Sequence, residues 1–377
     1  MKEEAAESSA NVILVLGMHR GGTSALAGML HHLGFDFGSA LMPAVEGVNN
    51  KGFWENLEAF KIHEHLLAAL GRSRFDPREM PLGWREHPAF GAAVDEVRAL
   101  IERDFRDARH WAVKDPRLCR LIPVWLEALA SLGLRPRVVM IVRHPAEVAW
   151  SMQAQGWIAS SARAHLCWLQ HMIEAEQATR HVPRALLSYD ALLADWRTQA
   201  LRIAAALDME WPAPPQQREA DIDAFLDASE RRYAESAETA TIGREVPPLA
   251  MELFQACRDF EAPLAWQHIA AIGDVHRRAA AAFGPCLDEA IVEASLMRLE
   301  IGEGRAATAS GDDPARAALL RAAQEIEALR ASFDAFVERQ SSEARVATQA
   351  VNDIRRRLEH LPEAGQPRPH WWKLLGR

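Results

Sequence analysis

Close cysteine pairs are missing from this chain. Cys119, Cys167, Cys257 and Cys286 lie far apart, and no Cys-x-x-Cys occurs. That spacing offers neither a zinc site nor a disulfide framework, and it predicts reduced thiols in a cytosol. A basic surplus is missing too. The formal net charge is -9, which excludes general nucleic-acid binding, because phosphate backbones demand a basic face. An anionic ligand therefore needs a locally basic pocket. No apolar run approaches a membrane span. Val12–Leu16 is too short for a signal-peptide core, and acidic Glu3, Glu4 and Glu7 precede it. These absences predict a cytoplasmic protein that is not transmembrane. No metal-ligand cluster is visible in the sequence, so no metal is expected.

What is present suffices for a large core: 377 residues, 49% of them hydrophobic. Val12-Ile13-Leu14-Val15-Leu16 is a short, β-branched apolar run followed by Gly17, which predicts a buried parallel strand. Apolar Leu26, Met29, Leu30 and Leu33 then share one helix face, and Gly34 is a natural stop. The pattern repeats. Strands are predicted at 111–113, 137–142 and 184–189, each followed by a helix. Alternating strands and helices imply an α/β fold, a P-loop-like three-layer sandwich with a central parallel sheet. Ligands in such folds sit beyond the carboxyl ends of the strands, so the residues just after each strand are the ones to inspect.

Gly17-Met18-His19-Arg20-Gly21-Gly22-Thr23-Ser24 joins the first strand to the first helix. Glycines let backbone N–H groups approach an anion, and the helix start adds uncommitted N–H groups and a positive dipole end. Thr23 and Ser24 add hydroxyls, and Arg20 adds a planar cationic fork. Gly17 and Gly22 match the spacing of a nucleoside-triphosphate loop, but Thr23 stands where that loop has its lysine. This counts against an ATPase or nucleotide kinase, whose lysine reaches the terminal phosphates. The plainer account is a glycine turn with no ligand.

The Gly17–Ser24 segment resembles the 5′-phosphosulfate loop of bacterial sulfotransferases that use 3′-phosphoadenosine 5′-phosphosulfate (PAPS). Arg20 replaces the lysine usual there, which keeps the charge and removes a transferable proton. Arg143 at a strand end, with Ser151 eight residues on, resembles the family's grip on the donor's 3′-phosphate. The resemblance implies PAPS as donor, held by Arg20, Gly21, Gly22, Thr23, Ser24, Arg143 and Ser151. It covers roughly residues 11–233. Tyr189, in Ser188-Tyr189-Asp190-Ala191-Leu192-Leu193, is expected near the adenine. Arg231 and Arg232 resemble a late segment that closes over the donor.

For the chemistry, the resemblance makes Glu55 the candidate base, with Glu46 and His19 in reserve. Glu55 lies beside Trp54 and Phe53, which predicts partial desolvation. The plainer account has Glu55 facing the positive end of the next helix, with Asn56 as cap. His19 is expected to titrate near neutrality. Lys114-Asp115-Pro116-Arg117 resembles a Lys-x-Pro-Arg element of the same relatives. It implies Lys114 on the sulfuryl oxygens or on an anionic acceptor, Arg117 assisting, and Asp115 orienting a cation. Arg20 is cast as an electrostatic clamp. Trp54 and Trp157 are candidates for stacking on the acceptor, a glycan, a lipid-linked sugar or a small metabolite.

The expected organisation is a disordered segment over 1–10, a sulfotransferase catalytic domain over 11–248 and a helical extension over 249–301. A linker over 302–313, a long helix or coiled coil over 314–361 and a tail over 362–377 complete the chain. Leu319, Ile326 and Phe333 fall seven apart, with Leu329 and Phe336 between, which resembles a heptad seam. Two accounts compete for it: a homodimeric coiled coil, or one helix folded back on the domain. The tail's Trp371-Trp372-Lys373 suits a docked terminus, a partner or a membrane surface. A non-catalytic scaffold working through this region is the remaining alternative.

Overall fold

The structure is a computed structural model. It describes residues 10–45, 49, 51–158, 160–226, 246–258, 265–278 and 281. The chain divides into two compact units, Met1–Gly273 and Asp274–Arg377, and the first holds the sheet. The expected linker, heptad helix and tail lie outside the described residues. No described helix is long and apolar enough to cross a membrane.

Four strands form one parallel sheet: β1 (Asn11–Leu16), β2 (His110–Lys114), β3 (Pro136–Val142) and β4 (Arg184–Ser188), in the order β2-β1-β3-β4. This is the predicted α/β class. All four strands lie within about two residues of the sequence assignment. β1 is central because it is apolar on both faces, and Val12 to Leu16 are fully buried. Alternation of side chains along each strand splits the sheet's apolar residues between two layers. Ile13, Val15, Val139, Ile141 and Leu187 pack under α1 (Thr23–His32), α8 (Trp196–Leu207) and α9 (Glu219–Phe225). The other layer is built by α4 (Leu118–Ser131), α5 (Pro145–Ala154) and α6 (Ser161–Ala178), with α4 against β1. α2 (Leu57–Ala69) and α3 (Pro88–Asp104) extend it.

The helix expected after β4 breaks into α7 (Tyr189–Ala194) and α8 at Asp195, whose side chain accepts from the Thr198 N–H and starts α8. Asn56 caps α2 by accepting from Glu58 and Ala59 N–H, as the plainer account of this loop had it. Register places the strand ends level: Val15 pairs with Lys114, Leu16 with Met140 and Val142 with Ser188. The chain leaves β1 to one side for β2 and returns to the other for β3. The crevice of a doubly wound sheet lies at such a switch.

Gly28 is the point where α1 meets α9, and a Cβ there would overlap the Phe225 ring. Gly28→Ala is expected to cost about 1–3 kcal/mol by overpacking, read as a lower midpoint in urea unfolding with unchanged slope.

Candidate functional site

Each strand delivers part of one site at its carboxyl end. After β1, the loop enters α1 through Gly22 at φ 93, and no side chain caps the helix. The first-turn N–H groups therefore face the loop's concavity. Two constraints hold Gly22: the positive φ, and the Tyr189 ring, which a Cβ would overlap. Arg20 is also left-handed, at φ 65, a strained state for a residue with a side chain. That conformation aims its two ends differently. Arg20 Nε donates to Ser151 Oγ at 2.8 Å, and its carbonyl accepts from Arg143 Nη1 at 3.3 Å.

The two anion grips inferred from separate stretches of sequence thus touch each other. Ser151, on α5, is fully buried. Arg143 lies over the Tyr189 ring at 4.9 Å and donates through Nε to Glu147 at 2.7 Å. Its Nη2 is buried and has no protein partner. An orphaned guanidinium nitrogen on a residue that lines one cavity with Gly22, Thr23 and Ser24 is a fit for a phosphate oxygen.

The second cluster lies at the end of β2. Lys114 Nζ donates to Glu55 Oε1 at 2.7 Å, to the Phe53 carbonyl at 2.8 Å and to Ser24 Oγ at 3.3 Å. Asn49 Nδ2 also reaches Ser24 Oγ, at 3.1 Å. Arg117 Nη1 stands 3.5 Å from Glu55 Oε2 and bonds Asp115 Oδ1 at 2.7 Å. Its Nε pairs with Glu64. Burial alone would raise the Asp115 carboxyl, but Arg117 and His63 hold it well below the ordinary carboxylate range. Glu55, Lys114 and Arg117 are each at most 5% exposed. All three line a cavity of about 320 Å³, together with Arg20, Gly22 and Arg143.

Thr23, Ser24 and Tyr189 line the same cavity, as do Trp157 and His19. Gly21 sits inside the turn, its N–H bonded to the Met18 carbonyl. Trp54 departs from expectation. Its backbone is left-handed at φ 58 and its indole turns toward His31, Phe37 and Phe225. The aromatic residue of this loop that lines the cavity is Phe53. His19 also departs. Burial, reinforced by Arg117, lowers its pKa well below the ordinary value, so it stays neutral where it was expected to titrate. Arg231, Arg232 and Glu46 lie outside the described residues. Among the described residues, no group of three or more His, Cys, Asp or Glu side chains is placed to hold a metal.

Glu147, Glu64 and Asn49 join the site without having been expected from sequence. Glu147 was findable, since it stands four residues after Arg143 on a helix. Glu64 and Asn49 are far in sequence from their partners and carried no local signal.

Fold and site together define an α/β protein with a cavity lined by cationic side chains at the carboxyl edge of a parallel sheet. Residues 12–213 match the Sulfotransferase family. The chain belongs to that family, whose members transfer sulfuryl groups. Among solved structures, it is similar to the sulfotransferase domain from the Synechococcus PCC 7002 olefin synthase. Identity is 14%, over 70% of this chain and 94% of that one, with a TM-score of 0.35. It is also similar to the sulfotransferase domain from the curacin biosynthetic pathway, at 13% identity, 70% and 96% coverage and a TM-score of 0.34. Comparison with curated proteins finds no match.

Removing Lys114 leaves the buried Glu55 carboxylate with only its longer contact to Arg117 Nη1, so Lys114→Met is expected to cost up to about 3–5 kcal/mol. Adding Glu55→Gln to it should recover part of the loss, a coupling that a double-mutant cycle by denaturant unfolding measures. Burial lowers the His171 pKa to about 3. Below about pH 6.5 the unfolded chain takes up a proton at this residue that the folded chain refuses, so stability falls with pH until about 3. His171→Asn, which keeps a donor for the Cys167 carbonyl, should flatten the stability–pH slope by about 1.4 kcal/mol per pH unit between about pH 6 and 4.

Proposed function

We propose that this protein transfers a sulfuryl group from PAPS to a hydroxyl or amine of an acceptor, with a glycan among the acceptor classes. One observation carries the reading: Arg143, whose Nη2 is buried without a partner, reaches the Arg20 carbonyl through Nη1, and Arg20 in turn bonds Ser151. A nucleotide with phosphates on both sides of its ribose needs two grips this close, whereas a triphosphate needs only the loop. Arg143 and Ser151 would hold the 3′-phosphate. The α1 N-terminus, Thr23 and Arg20 would hold the 5′ end, and Tyr189 would bound the nucleoside. When bound, the donor supplies an activated sulfuryl group.

Glu55 is the group we assign to take the acceptor's proton. Its two cationic neighbours keep it in place and aim its oxygens. Once Glu55 carries the proton, its hold on Lys114 weakens. The ammonium, still bonded to Ser24 and the Phe53 carbonyl, can then turn its charge toward the cavity. Arg20 contributes fixed charge and no proton. The acceptor is expected on the side walled by Phe53, Phe60, Phe75 and Trp157.

Adenosine 3′,5′-bisphosphate at about 100 times its Kd should stabilise the protein by about 2.7 kcal/mol, seen as a thermal shift. ATP with magnesium should not. Arg143→Ala is expected to weaken bisphosphate binding about 10- to 100-fold, and Gly22→Ala to abolish it. Mass spectrometry across an acceptor panel should show a gain of one sulfuryl group, lost in Glu55→Gln. Stabilisation by ATP with magnesium alone would point to phosphoryl transfer instead.

A further inference from the structure

Behind Glu55 and Arg117 runs a line of buried polar contacts that the proposed chemistry leaves unexplained. His63, on α2, is fully buried. Its Nδ1 lies 2.9 Å from Asp115 Oδ2, and its Nε2 accepts from Trp125 Nε1 at 2.8 Å. An indole N–H can only donate, so Nε2 must carry a lone pair. The ring proton is therefore on Nδ1, and it points at Asp115. Trp125, on α4, and the acceptor-only Asp115 carboxylate thus require the same tautomer of His63.

Asp115 is fully committed as a result. Oδ2 accepts from His63, while Oδ1 accepts from the Arg117 backbone N–H at 2.9 Å and from Arg117 Nη1 at 2.7 Å. With both oxygens engaged, the carboxylate cannot rotate without losing a bond. Arg117 is fixed in turn. Asp115 and Glu64 hold its edges, and its guanidinium lies over the Phe60 ring at 4.4 Å. What remains of Nη1 faces Glu55 Oε2 at 3.5 Å. The line joins α4, α2, the end of β2 and the loop carrying Glu55.

A purely structural need does not account for this choice of residues. A well-packed apolar cluster is often as stable as a buried ionic one. An aimed guanidinium beside a base requires the polar line. We propose that His63, locked in one tautomer between Asp115 and Trp125, is a positioning residue that holds Arg117, and through it Glu55, in the working arrangement. This role rests on the transferase reading.

His63→Phe keeps the ring beside Trp125, whose centroid lies 6.1 Å away, but removes both hydrogen bonds. His63→Asn returns an amide N–H near the Nδ1 position. Turnover is followed as adenosine 3′,5′-bisphosphate released from PAPS, with a panel acceptor or with water. His63→Phe is expected to lower kcat at least about tenfold, with donor KM and bisphosphate Kd within about threefold of wild type, and His63→Asn to restore kcat to within about threefold. Independently of activity, two-bond ¹H–¹⁵N spectra should show His63 protonated on Nδ1. If His63→Phe does not fold, Trp125→Phe carries the kinetic test, with the same direction expected.

Unchanged kcat in the variant, an equal fall in His63→Phe and His63→Asn, or an Nε2-protonated His63 would each overturn the proposal. A wild-type protein that neither binds the bisphosphate nor turns over would instead count against the transferase reading. The spectra would then decide the relay alone.

Discussion

Parallel pairing of β1 with β2 on one side and β3 on the other, in level register, underlies every feature of the site. It stacks the residues after four strands along one edge: the Gly17–Ser24 loop, Lys114, Arg143 and Tyr189. A shift of one residue in β3 would exchange its two faces and withdraw Arg143 from the Arg20 carbonyl. The buried apolar run Val12–Leu16 of β1 resists that shift, since slipping would turn the core side chains of β3 to the wrong face. The site's precision is inherited from the core.

Charge is distributed with the same economy. The chain is acidic overall, yet the cavity is rich in cations, and the most buried of them have carboxylates close by. Arg143 faces Glu147, Lys114 faces Glu55, and Arg117 faces Asp115 and Glu64. Uncompensated buried cations would be expensive. The pairs let the protein keep them desolvated and aimed before any anion arrives, which is how preorganised sites work. The arrangement also explains why net charge was a poor guide to the ligand: the field inside a cavity is set by neighbours a few ångströms away.

The two clusters differ in what they leave open. Around Arg143, one guanidinium nitrogen lacks a protein partner, and the glycine turn presents N–H groups without a cap. Around Glu55, the described polar groups are engaged with one another. The first cluster reads as a place for a ligand. The second reads as machinery that must give up an internal contact to act. His19 and His171, neutral and buried beside these clusters, add polar surface without adding charge.

Strand positions, the glycine turn and the Asn56 side chain's reach to the next helix were legible in sequence, because each depends on residues within a few positions of one another. Apolar runs and helix spacing fix local structure directly. The contact of Arg20 with Arg143 and Ser151, the inward turn of Trp54, the neutrality of His19 and the line from Trp125 through His63 to Arg117 were not legible. They join residues dozens to more than a hundred positions apart. Only packing decides which side chains meet and how far water is excluded from them, and distance and dielectric set their chemistry.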